Sequence, residues 1–301
     1  MMLLQLHKNP VLRRELQKRA ASIFAALSTV IWLLVMVLVL TAVYFSAKAD
    51  DRRFSASELE NLGQTGRSLF EWILFFMLLF VLFIVPGVTS STITGERERQ
   101  TLVPLQLTLL SPSEIVVGKL SAALAFLALL MVATAPLMSV SFLLGGVGLL
   151  DVLIGLSVVL FTGLVLGSFG MLCSSFFNST VAATVATYAI SLVFFVGAWL
   201  FLALLAIFFQ DGDPPVQFLG LNPVTGVADA LPSNVDQYGS GSSGPFSAMQ
   251  EAIFDIQNSY ESPSEDRSWV WQIYVVAGSA LLWLNTRLAT MAVSVPAERD
   301  R

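Results

Sequence analysis

Six apolar runs divide this chain, at residues 23–45, 69–89, 115–144, 152–177, 181–209 and 269–288. About 20 helical residues cross a hydrocarbon core of about 30 Å, and each run meets that length. The pattern predicts an all-α polytopic membrane protein, a single transmembrane domain over residues 1–301 with six transmembrane helices. Between the second and third runs lies a compact charged stretch, "ITGERERQTLVPLQLTLLSPSEIVVGK", with Glu96, Arg97, Glu98 and Arg99 in succession.

Polar punctuation sets the expected element ends. Asn9-Pro10 starts a helix, and Leu12, Leu16 and Ala20 recur every four residues with Arg13, Arg14, Gln17 and Lys18 around them. This predicts an amphipathic helix over 9–20 lying in the interface, the alternative being a plain basic anchor. Ser68 and Glu71 have the capping-box spacing, which accounts for Glu71 better than a functional carboxylate inside the bilayer. Ser111-Pro112-Ser113-Glu114 repeats the box, with proline at the first helical position. Pro86-Gly87 and Pro136 are expected kinks, with a Ser/Thr cluster after the first to satisfy freed backbone groups.

Gly163 and Gly167 form a small-xxx-small pair, read as packing within the chain rather than between subunits. "NPVTGVADALP" and a flexible "GSGSSG" tract follow the fifth run. Phe246, Met249, Ile253 and Ile256 then share one helical face. Trp269, Trp271 and Tyr274 mark the interface before the last run.

Composition sharpens the picture. Of 301 residues, 55% are hydrophobic and 12% charged; soluble domains carry about 25% charged residues. The net charge of −5 says nothing of nucleic acid, because nine acids fall between 210 and 268 against Arg267 alone. Cys173, the only cysteine, permits no internal disulfide. The basic start runs into a span-length helix without a small-residue cleavage motif, so no cleavable signal is expected. Assigning loops alternately gives eleven Lys and Arg on the side of the N-terminus and five on the other. The positive-inside bias then places both termini and residues 93–114 in the cytoplasm, and 210–268 outside.

Energy-converting chemistry is missing. His7 is the only histidine, no Cys/His metal cluster exists, and no phosphate-binding G-x-x-x-x-G-K-[ST] occurs. No run carries a chain of acids for a proton relay. A solvated loop that merely fixes topology is one reading of 93–114; a docking site for another protein is the other. "ERERQTL" at 96–102 and "SPSEIVVGK" at 111–119 resemble the type-2 permeases of ABC exporters, whose second span continues into "E-R-E-R-G-T-L" and then "E-I-V-L-G-K". Residues 9–16, 174–180 and 222–223 fit that family's elbow, cytoplasmic turn and external "NP" segment. Gln100 stands where the family has Gly, and Pro104 comes early.

The resemblance implies a permease subunit that is no enzyme itself, in the cytoplasmic membrane of a prokaryote. A separate ABC ATP-binding subunit would bind ATP and Mg, leaving this chain without a cofactor. A second permease chain, in a homodimer or heterodimer, would complete a pathway lined by spans two and five. The elbow, with Arg13, Arg14 and Glu15, and the coupling residues Glu96, Arg97, Glu98, Arg99, Thr101 and Leu102 would rest on the ATPase. Glu96 and Arg99, three apart, are expected to pair, leaving Arg97 and Glu98 for the partner. An apolar route suits a hydrophobic or amphipathic substrate. Rival readings are a membrane scaffold that transports nothing and an ion-driven carrier.

Overall fold

The computed structural model describes residues 23–50, 58–101, 111–208, 216–231, 244–251 and 270–294. Among them all regular structure is helical: α1 (Ile23–Asp50), α2 (Glu58–Thr89), α3 (Thr94–Glu98), α4 (Pro112–Leu144), α5 (Leu149–Phe176), α6 (Thr180–Phe208), a 3-10 turn (Val216–Leu221), α7 (Pro223–Ala230) and α8 (Val270–Ser294). Residues 245–251 are also helical. The expected elbow at 9–20, with Arg13, Arg14 and Glu15, lies outside the described residues, as do Leu102 and Pro104.

Among the described residues, five helical stretches are long and apolar enough to cross a membrane, in α1, α2 (running on to Glu98), α4, α5 and α6. The sixth expected span, α8, has 25 residues. Gln272, Asn285 and Arg287 lower its hydropathy, and it is not among the five.

The bundle is built around α2 and α5, which pack on each other; α4 and α6 touch both, and α8 lies along α5 and α4. Close approach depends on missing side chains. A Cβ on Gly163 or Gly167 would press into Leu127 or Leu120 of α4, so the pair packs inside the chain as expected. A Cβ on Gly170 would overlap the Thr89 hydroxyl of α2. Three polar pairs in the interior bridge helices. Trp32 donates to Thr134 (3.0 Å), Asn285 donates to Ser168 (3.0 Å), and the Thr162 and Tyr274 hydroxyls meet at 2.7 Å.

α2 runs through Pro86 to Thr89. The Thr89 hydroxyl bonds the Val85 carbonyl (2.7 Å), and Tyr188 of α6 donates to the Phe83 carbonyl (2.6 Å). The Ser/Thr cluster thus supplies backbone partners beside the proline.

One boundary is corrected. Ser68 and Glu71 do not cap α2, because helix continues on both sides of them from Glu58. Backbone packing extends the helix: a Cβ on Gly66 would strike the carbonyls of Gly145 and Ser141, and one on Gly146 would strike that of Gly63. With the preceding turn already helical, Ser68 has no orphan amides to serve. Glu71 is instead 1% exposed, paired with Arg67 (3.0 Å), which approaches Asp151 (3.7 Å). The other expected box is present: the Ser111 hydroxyl accepts the Glu114 amide (3.3 Å), and the Glu114 carboxylate accepts the Ser111 amide (2.8 Å).

Candidate coupling site at the α3 end

After Thr89 the chain makes one tight turn and re-enters helix as α3. Ile93 anchors this turn, fully buried among Val116, Leu120, Met171, Ala289 and Val293. Two amides at the start of α3, those of Ile93 (2.8 Å) and Thr94 (3.1 Å), donate to the Ser174 hydroxyl at the end of α5. A hydroxyl from a neighbouring helix thereby does the work of an N-cap.

The charged residues that follow are matched to helix ends. Arg97 donates to the carbonyls of Phe177 (2.8 Å) and Ser175 (3.2 Å) and to the Asn178 side chain (2.9 Å), placing a cation at the C-terminus of α5. Glu98 accepts the Thr180 amide (2.7 Å) and hydroxyl (3.2 Å), placing an anion at the N-terminus of α6. Adjacent side chains therefore clamp both ends of one interhelical turn. Arg97 and Glu98, expected to be left for another protein, thus have partners within the chain.

Glu96 pairs not with Arg99 but with Lys119 of α4 (3.3 Å), and it also accepts the Thr101 hydroxyl. Lys119 is 4% exposed and donates as well to the Thr92 carbonyl (3.0 Å). Its ammonium thus faces the carbonyl-rich end of α2. Arg99 and Gln100 are exposed.

Gln100 explains the shape of the site. Its φ of 57° lies in the left-handed region. Its amide bonds the Arg97 carbonyl (3.0 Å), and the Thr101 amide bonds the Glu96 carbonyl (2.8 Å). This is the Schellman ending, in which glycine is the favoured residue. The family's glycine therefore belongs where this chain carries Gln100, and the turn forms without it.

Structure brings together Glu96, Arg97, Glu98 and Thr101 with Lys119, Ser174, Asn178 and Thr180. The second group was visible in sequence only as the "SSFFNST" turn and as a lysine in the first turns of an apolar run.

The ABC-2 family transporter protein model matches residues 10–289. The chain belongs to that family: it is a multi-pass membrane permease of the ABC transporter class. No curated protein matches it.

Proposed function

We propose that this chain is the membrane-spanning subunit of an exporter driven by ATP hydrolysis on a separate ATP-binding subunit, which holds ATP and Mg. Two permease chains, identical or paired with a homologous partner, form a pathway for a hydrophobic or amphipathic substrate. The membrane is the cytoplasmic membrane of a prokaryote, with both termini and α3 in the cytoplasm and the ATPase docking on α3 and the elbow.

α8 is the sixth span in this reading. Val270, Tyr274, Gly278, Asn285, Ala289 and Val293 are buried along one face, while Val276, Trp283 and Met291 are exposed along the other. An apolar outer face with an inward asparagine suits lipid on one side and protein on the other.

One observation carries the coupling role. α3 is bolted to three helices at once: to α4 through Lys119–Glu96, to the end of α5 through Arg97 and Ser174, and to the start of α6 through Glu98. A push on α3 is delivered to all three, where a solvated loop would absorb it.

Gly95 offers the test, because a Cβ there meets nothing within 4 Å. Gly95→Cys in a Cys173→Ser background should cross-link to the ATP-binding subunit in membranes, and the purified chain alone should hydrolyse no ATP. Failure to cross-link with any ATPase at this position sinks the docking reading.

A further inference from the structure

At the end of the bundle away from α3, three charged side chains are buried together: Arg67, Glu71 and Asp151. Buried charge is costly in a membrane protein and marks a functional position by default. α3 and its partners do not use this cluster. We propose that Glu71 is the positioning residue of a strap, residues 244–251, which ties α2 at Glu71 to the middle of α6 at Phe195 and must be released for the route to open. This rests on the reading that α2 and α6 border the route.

The tie is continuous through three contacts. On α2, the Glu71 carboxylate accepts the amides of Phe246 (3.1 Å) and Ser247 (2.8 Å). Phe246 is fully buried beside Phe75, with ring centroids 6.2 Å apart. Gly244 gives the chain room to pass, since a Cβ there would run into that carboxylate. From the strap, Gln250 donates to the carbonyls of Ala228 (2.5 Å) and Leu231 (2.9 Å) at the end of α7. At the start of α7, Asn222 donates to the Phe195 carbonyl of α6 while its own oxygen accepts the Val224 amide (2.8 Å). The path runs α2, strap, α7, α6.

The tie parts at Glu71. α7 also packs on α5 and α8 and is buried from Pro223 to Ala228, so it stays with the bundle. The strap is held to α2 by two amide bonds to one carboxylate and by the Phe246 ring. That carboxylate is aimed by Arg67, which also reaches Asp151 of α5. A turn of α2 relative to α5 therefore moves the acceptor away from the strap amides. Glu71 thus accepts the amides of Phe246 and Ser247 at the start of helix 245–251, while the Ser247 hydroxyl accepts the Gly244 amide (3.1 Å).

Hydrogen exchange on the purified full chain in lipid nanodiscs tests this. Glu71→Ala should accelerate exchange of the Phe246 and Ser247 amides about tenfold or more, and leave 223–230 unchanged. Glu71→Gln, which keeps an acceptor oxygen, should give a smaller rise. Unchanged exchange in Glu71→Ala overturns the proposal, and so does equal acceleration of strap and α7, which marks general loosening. In the complex cross-linked through Gly95→Cys, ATP should accelerate exchange of 244–251; no change there overturns the release step. Absence of that cross-link strikes the docking reading instead, and the Glu71→Ala comparison then decides the tie by itself.

Discussion

Glu98 caps α6 at Thr180: one carboxylate oxygen accepts the Thr180 amide at 2.7 Å and the other accepts its hydroxyl at 3.2 Å. The bond spans 82 residues of sequence and joins the charged loop to the start of a membrane helix. Glu98→Ala should cost about 1 kcal/mol, as the loss of an N-cap does. Glu98→Arg should cost more, because it sets a cation against the positive end of α6. Thermal unfolding of the purified chain reads the stability, and recovery of the ATPase on pull-down reads the coupling. Stability equal to wild type in both variants would contradict the cap.

Lys119→Met should be destabilising by about 1–3 kcal/mol, since it removes the ammonium that bonds the Thr92 carbonyl and the Glu96 carboxylate at a partly buried site. Adding Glu96→Gln should recover part of that loss. A double-mutant cycle gives the pair its coupling energy, and a value near zero would show that Lys119 serves α4 alone.

Gln100→Gly should stabilise the end of α3 by about 0.5–1 kcal/mol, the left-handed penalty offset by the greater freedom of glycine when unfolded. Gln100→Val, branched at Cβ, should do the opposite. The check is exchange protection of the Thr101 amide, which closes the turn.

Gly170→Ala should destabilise by about 1–3 kcal/mol through overpacking against Thr89. Thr89→Ala in the same chain removes the hydroxyl but leaves the Thr89 Cβ at 2.7 Å, so it should recover only part of the loss. Additive losses in the double variant would place the strain elsewhere.

Asp229 accepts the Trp271 amide (2.9 Å) at the start of α8. Burial pushes its carboxyl above the ordinary 3.8, outweighing the amide bonds from Trp271 and Val270. The folded chain thus holds this proton more tightly than the unfolded one. Its contribution to stability is full below pH 3.8 and is lost as pH rises through the folded value. The difference in unfolding temperature between wild type and Asp229→Asn should follow that slope; a flat difference would refute it.

The helical class, the apolar spans and the motif at 96–102 were legible in the residues themselves. Span length and hydropathy are local quantities, and the Ser111–Glu114 box needs only residues three apart. The Gly163/Gly167 pair likewise announced a close approach, though not the helix it meets.

Contacts distant in sequence were decided by the fold. Ser68 and Glu71 have the spacing of a cap, yet α2 begins at Glu58, because Gly63 and Gly66 let its first turns dock against residues 141–146. Spacing cannot show whether the preceding turn is already helical. Glu96 could reach Arg99 along a helix, but Lys119 stands closer to it across the bundle, buried where an ammonium needs an acceptor. Arg97 and Glu98 read as surface charge; they serve the ends of α5 and α6 because tertiary packing brings that turn beside α3, and orphan carbonyls and amides there draw opposite charges.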